Sequence, residues 1–400
     1  MSAGSPSADG RPDASGGPLA GLRVLDLSRL LPGPFASLVL ADLGARVDKI
    51  EDPDGGDYLR AMPPLRGDTS TMFLALNRNK RSACLDLKKE RGRAALLALV
   101  ARCDVLLEQF RPGVLERLGL GHALLRRTNP RLVVCALTGY GQSGPLARSA
   151  GHDLNYLARA GVLGMHGPAG APPQVPGFQL ADIGGGLWCV AGILAALQRR
   201  ATTGEGSLVD VSMLESSMAF AFSGFGQLFG GQVPPRGRGP LTGGLALYNT
   251  YATRDGRFVA LAALEPKFWA AFCAGAGLEV DMGALVPGPH QDALRETLRA
   301  LFVSRTRDEW EAFARAHDCC LEPVLEPHEL RADPQLRARG AFFEMPSPWG
   351  PIEQLRTPLT DRDAPHTPPP AQGEHTDAIL REAGLDDATI AAMRAERSAR

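Results

Sequence analysis

Between Leu22 and Met213 short aliphatic runs alternate with stretches of helical periodicity, and this alternation limits the possible folds more than any other feature. Leu22–Leu27 (LRVLDL) reads as a buried strand, Pro32-Gly33-Pro34 as a turn, Phe35–Leu43 as a helix closed by Gly44, and Arg46–Glu51 as a second strand. A helix between two strands is the connection that parallel pairing requires. The cycle repeats, with strands at Ala83–Leu87, Val105–Gln109, Arg131–Thr138 and Ser207–Met213 and helices at Arg91–Arg102, Val114–Arg127 and Asp182–Arg200. The pattern predicts an α/β fold whose large domain is doubly wound and Rossmann-like.

Residues 1–18, mostly Gly, Ser, Ala, Asp and Pro, read as a disordered tail, and residues 19–229 as the first part of the large domain. Residues 230–244 are rich in Gly, Pro and Arg and open a smaller α+β domain over 230–330. Within it, Tyr248–Thr253 and Arg257–Ala263 flank Arg254-Asp255-Gly256, a hairpin signal. Residues 331–400 form an extended, proline-rich return followed by helices within Thr376–Glu396.

A formal net charge of -1 argues against nucleic acid as a partner. No secretory signal is read at the start, and no apolar run is read as long enough to span a membrane. The 7 cysteines include no CxxC and sit mostly in apolar runs, as reduced thiols of a cytoplasmic protein would. Metal-ligand spacings and a Walker loop are missing from the sequence, so no metal is expected.

Gly139-Tyr140-Gly141-Gln142-Ser143-Gly144 is a literal GxGxxG, but Pro145 follows where a dinucleotide site needs a helix N-terminus, so a tight turn is the better reading. His152 stands in Gly151-His152-Asp153-Leu154-Asn155-Tyr156, just before a helical run, where the helix dipole favours a neutral imidazole able to act as a base. A capping or packed histidine is the ordinary alternative. Asp182 precedes Gly184-Gly185-Gly186 and reads as a helix N-cap. Three poor helix formers there suit a helix end that something must lie against. Glu265, before Pro266, leaves a strand end, although a surface turn would also place it so. Lys80, Arg81, Lys88, Lys89, Arg111 and Arg117 cluster near strand ends and could meet phosphates or simply face water. Phe220, Phe222, Phe225 and Phe229 read as core or domain-junction residues ahead of an acyl channel.

Taken together these segments resemble the family III CoA-transferases (the CaiB/BaiF superfamily), and within them the α-methylacyl-CoA racemases. The resemblance is carried by Leu25-Asp26-Leu27-Ser28, Ala41-Asp42-Leu43-Gly44-Ala45, Asn77-Arg78-Asn79-Lys80-Arg81-Ser82, Glu108-Gln109-Phe110-Arg111-Pro112-Gly113, the GxGxxG turn and Gly373-Glu374-His375-Thr376. It implies an acyl-CoA substrate, with His152 and Asp182 handling a proton on opposite faces of the α-carbon and Glu265 supporting His152. It implies no cofactor beyond the coenzyme A of the substrate itself. Asp153 occupies the place of the transferases' nucleophile, so CoA transfer between carboxylic acids is the alternative activity. CoA contacts fall by position on Leu85, Lys88, Phe110 and Arg117. The racemases it resembles carry an arginine near the CoA 3′-phosphate where this chain has Asp52, so either Lys49 or Arg29 substitutes or the nucleotide sits differently. The resemblance further implies an interlocked homodimer whose large domain is built from both chain ends.

Overall fold

The computed structural model describes residues 16–233 and 235–400; residues 1–15 of the expected tail lie outside them. The chain divides into two compact units. One comprises residues up to Leu157, Phe178–Ser217 and Pro334–Arg400, and the other Ala158–Gly177 and Met218–Asp333.

The first unit is built on a six-stranded sheet of β1 (Arg23–Asp26), β2 (Arg46–Glu51), β3 (Lys80–Cys84), β4 (Val105–Glu108), β5 (Val133–Thr138) and β6 (Leu208–Ser212). The strands lie in the order β3-β2-β1-β4-β5-β6, all pairs parallel. This is a doubly wound order whose direction of winding reverses between β1 and β4. All six residues of β5 are buried, as expected of a strand covered on both faces.

The helix α1 (Pro32–Asp42) starts earlier than the sequence suggests. Pro32-Gly33-Pro34 is its first turn and not a separate loop. Proline is tolerated there because the first N–H groups of a helix have no intrahelical acceptor. A side chain at Gly33 would collide with Ser28, whose Cβ lies 2.1 Å from the position a Cβ would take. Gly44, at φ +98°, closes the helix as expected.

A shorter helix, α2, spans Asp153–Arg159, and a long one, α3, spans Leu180–Thr203. With 24 residues α3 is long and apolar enough by length and composition to cross a bilayer, although the sequence predicts no spanning run. Here it packs against α1, β5 and β6 as a core helix. The glycine run read as room for a ligand serves that packing. At Gly186 a Cβ would stand 2.7 Å from the carbonyl oxygen of Pro32 and 2.8 Å from the Phe35 ring, and at Gly185 2.8 Å from Met213 Cγ.

Several charged side chains of this unit are buried. Asp42 and Arg78, neither accessible to solvent, form an ion pair completed by Gln354, Thr357 and Thr360. Phe342–Met345 pairs antiparallel with Ile352–Leu355, a strand within the stretch read as extended coil. The helices Thr376–Glu382 and Asp387–Ala395 complete the unit, with Ile379, Leu380, Ile390 and Met393 in its core.

The second unit has a three-stranded antiparallel sheet. The expected hairpin, Tyr248–Ala252 with Phe258–Ala262, is joined by Leu321–Pro323. Its core stacks Tyr251, Phe272, Phe302 and Trp310, and the Trp310 indole N–H donates to the Phe302 carbonyl at 2.8 Å. The helix α4 (Pro266–Ala276) belongs to this unit. Phe222 and Phe229 are 70% and 79% exposed, and the helix Phe222–Phe229 buries none of its residues within the chain. Of the two expectations for the aromatic run, core does not hold, while the junction reading agrees with the unit boundary between Ser217 and Met218.

Candidate active site

A cavity of about 930 Å³ opens at the carboxyl ends of the parallel strands, around the reversal between β1 and β4. That is where doubly wound sheets bind ligands, because the loops on either side of the reversal diverge. Its walls come from Ser28–Leu30 after β1, Asp52, Asp57 and Tyr58 after β2, and Leu85–Lys88 after β3. Gln109–Pro112 after β4, Thr138 and Gly139 at the end of β5, and Met213 after β6 complete that part. His152, Tyr156 and Asp182 also face it.

His152 immediately precedes α2. Its backbone N–H donates to Asn155 Oδ1 at 3.0 Å while its carbonyl accepts from the Asn155 N–H at 2.8 Å, so the turn that presents it is closed on itself. Asp182 is not the N-cap of α3 but its third residue, and Gln179 at the cap position makes no side-chain bond. The cap is supplied from elsewhere. Asp153 Oδ1 accepts from the backbone N–H of Ala181 at 2.7 Å and of Asp182 at 3.1 Å. A carboxylate on two free N–H groups at a helix N-terminus is favourable both as a hydrogen-bond acceptor and against the helix dipole. The same bonds tie the start of α2 to the start of α3. One carboxylate thus places His152, its own neighbour, and Asp182 on the same cavity. Asp153 thereby takes up two of the free N–H groups at the start of α3. Burial, and secondarily the negative charge of Asp153, push the Asp182 carboxyl up to about 7.

Tyr156 donates to the Gly151 carbonyl at 2.5 Å and packs edge-on against Tyr140, with ring centroids 5.2 Å apart. A side chain at Gly139 would meet the Tyr156 ring at 2.3 Å, and one at Gly151 would meet it at 2.7 Å. The GxGxxG stretch is therefore a turn, as expected, with its first glycine making room for Tyr156. Burial and then Asp182 push the Tyr156 phenol up to about 12. Neither Tyr156 nor Thr138, whose buried hydroxyl has no hydrogen-bond partner among the described residues, stands out in the sequence. A tyrosine in a helix and a threonine at a strand end give no local signal.

The expected CoA contacts separate. Leu85, Lys88 and Phe110 line the cavity. Arg117 does not, although Val114 and Leu118 on either side do; it is exposed, with its guanidinium and that of Arg148 both within 4 Å of where a Gly113 side chain would stand. Of the other cations in the sequence cluster, Arg111 is exposed and lines the cavity, whereas Lys80, Arg81 and Lys89 are engaged within the fold. Lys80 is buried, donating to the Pro34 carbonyl and to Asn77 at 2.9 Å each, and burial pushes its ammonium down to about 7 against the pull of Asp26. Arg81 pairs with Asp48 and Glu382, and Lys89 bonds the carbonyls of Glu396 and Arg397. Lys49, one of two proposed substitutes for the arginine missing at Asp52, is fully buried in an ion pair with Asp57 at 3.0 Å. It cannot reach a ligand, whereas Arg29 lines the cavity.

Glu265 lies on the second unit, exposed at the N-cap of α4, its carbonyl accepting from the N–H of Phe268 and Trp269.

Comparison with known proteins bears on this arrangement. The model of CoA-transferase family III matches residues 19–376. Alpha-methylacyl-CoA racemase of Homo sapiens is 40% identical over 380 residues, 92% of this chain and 94% of that protein. Succinyl-CoA:glutarate CoA-transferase of Mus musculus is 32% identical over 378 residues, 91% of this chain and 86% of that protein. A solved CAIB/BAIF family protein from Brucella suis superposes with a TM-score of 0.79 at 32% identity, covering 92% of this chain and 100% of that one. Relatives named for racemisation and relatives named for CoA transfer both align over most of the chain, and the fold they share is mixed α/β with a parallel sheet. The chain is therefore an enzyme of CoA-transferase family III.

Proposed function

We propose that this enzyme racemises 2-methyl or other 2-branched acyl-CoA thioesters. The observation that carries the reading is a carboxyl held at about 7, Asp182, in the same cavity as His152. An ordinary aspartate is ionised at neutral pH and has no proton to give, whereas one at about 7 exchanges a proton there in either direction. In the proposed reaction the His152 imidazole takes the α-proton, and the C–H electron pair moves into the thioester to give an enolate. The Asp182 carboxyl then delivers its proton to the opposite face of the α-carbon as the carbonyl reforms, and the reverse direction exchanges the roles. The Asp153 backbone N–H at the start of α2, which makes no hydrogen bond to described residues, is the proposed donor to the enolate oxygen. Asp153 itself acts as the cap that holds both helices, and Glu265 is assigned through family likeness to steady the His152 imidazolium. No metal or redox cofactor enters this chemistry.

CoA transfer is the second reading. It draws on Asp153 Oδ2, which has no hydrogen-bond partner among the described residues while Oδ1 binds the two N–H groups. A homodimer is proposed for either, supported by the exposed aromatic helix Phe222–Phe229. The seven free thiols, six of them buried, support a cytoplasmic setting.

One enantiomer of a 2-methylacyl-CoA in deuterated water tests the proposal. Deuterium at the α-carbon with loss of optical purity, and no acceptor acid present, is expected. His152→Ala should abolish exchange, and Asp153→Ala should retain part of it. Turnover that strictly requires a second carboxylic acid, without exchange, would establish transfer instead.

A further inference from the structure

We infer that Arg29 and Tyr58 form a preorganised clamp for a phosphate at the nucleotide end of coenzyme A, an inference that rests on the acyl-CoA reading of the cavity. Arg29 is exposed on the cavity wall, and its guanidinium carbon lies 4.4 Å from the centre of the Tyr58 ring, which lines the same cavity. No described carboxylate is within ion-pair distance of Arg29, although several line the cavity. Apart from Asp182, which belongs to the proposed catalytic pair, they are engaged elsewhere: Glu51 by Arg60, Asp57 by Lys49, Asp52 by the Asp54 N–H and Asp86 by the Lys88 N–H. Arg29 thus keeps its charge for a ligand. Stacking uses the flat face of the guanidinium and leaves its N–H edge, the part that binds phosphate bidentately, unspent.

The clamp is held from below. On one side of Arg29 the Ser28 carbonyl accepts from Lys49 Nζ at 2.7 Å, and on the other the Leu30 N–H donates to Asp57 Oδ1 at 3.0 Å. The same Asp57 oxygen accepts the Leu59 N–H at 3.1 Å and caps the short helix that begins with Tyr58. One carboxylate therefore fixes both members of the stack. Leu30 sits at φ +64°, a costly conformation for leucine that persists only where its surroundings impose it. Burying Lys49 and Asp57 costs desolvation, and the proposed proton transfers use neither residue. Holding the Arg29 loop against the Tyr58 helix gives the pair a role. The loop bearing Arg29 follows β1, two strands from β5 in the sheet, about 10 Å at ordinary strand spacing. A phosphate held there leaves the thioester end free to reach His152 and Asp182.

Calorimetric titration of the full chain with CoA, dephospho-CoA and pantetheine tests this. Arg29→Ala should weaken CoA binding about tenfold or more while leaving pantetheine, which has no phosphate, within about twofold. A loss that persists with dephospho-CoA assigns the clamp to the pyrophosphate, and one that vanishes assigns it to the 3′-phosphate; either supports the inference. Tyr58→Leu should cost about threefold alone and nothing further in the Arg29→Ala background. CoA binding unchanged in Arg29→Ala, or an equal loss for pantetheine, would overturn the clamp alone. A wild-type protein that binds no CoA would overturn the acyl-CoA reading and the clamp with it.

Discussion

Asp182→Asn should make the protein more stable above neutral pH while removing its activity. The carboxyl has an ordinary value of 3.8 and is held at about 7 in the fold. Between those values the folded chain binds one proton more than the unfolded chain, so stability falls as pH rises through that window and levels off above it. Three pKa units correspond to about 4 kcal/mol. Asp182 is only partly buried, and screening by water reduces the expected gain to about 2 kcal/mol. Asparagine has the same shape and carries no charge to desolvate, so the variant should not lose stability in this way. Urea unfolding of both proteins at about pH 4 and about pH 8 measures the difference. The two should nearly coincide at the lower pH, and the variant should exceed the wild type by about 2 kcal/mol at the higher one. A difference that does not vary with pH, or a variant less stable than the wild type at about pH 8, would refute the placement of a strained ionised carboxylate at this position. The expected outcome is a residue kept for chemistry at the expense of stability.

Asp153→Asn removes the second cause of the Asp182 shift while retaining an oxygen to cap α3, so the Asp182 titration seen in the pH profile of α-proton exchange should move to lower pH. Gly186→Ala should lower stability by about 1–3 kcal/mol, since the added methyl meets the Pro32 backbone, and Gly185→Ala by less, since the Met213 side chain can yield; thermal unfolding distinguishes them. Arg78→Met strands Asp42 in the interior and should cost about 3–5 kcal/mol in urea unfolding.

The strands were legible because their inward residues are aliphatic on both faces, and most of their limits fall within a few residues of the expected ones. Their order was not, since periodicity carries no information on which strand lies beside which. Pro32-Gly33-Pro34 misled because the residues that make turns are also those that begin helices. Asp182 looked like a cap, whereas the capping carboxylate lies 29 residues earlier at Asp153. That exchange cannot be seen without the sheet that brings the two helix starts together. Lys80 and Lys88 were alike in sequence, and only the fold separates the buried lysine from the one on the cavity wall. His152 and Asp182 stood out mainly through family likeness; the structure adds the cavity they share and the carboxylate that docks their helices.

The ion pair of Asp42 and Arg78 has a consequence for biosynthesis. Asn79 donates to Asp42 from beside Arg78, but three further partners, Gln354, Thr357 and Thr360, follow Arg78 by about 280 residues, and the whole second unit is translated in between. At ribosomal speeds of about 5–20 residues per second, these two charges wait on the order of 15–60 s before the groups that complete their enclosure emerge. During that interval the nascent first unit has to keep Asp42 and Arg78 hydrated, so it cannot close its interior at this point, while the intervening segment is free to collapse around its own aromatic stack.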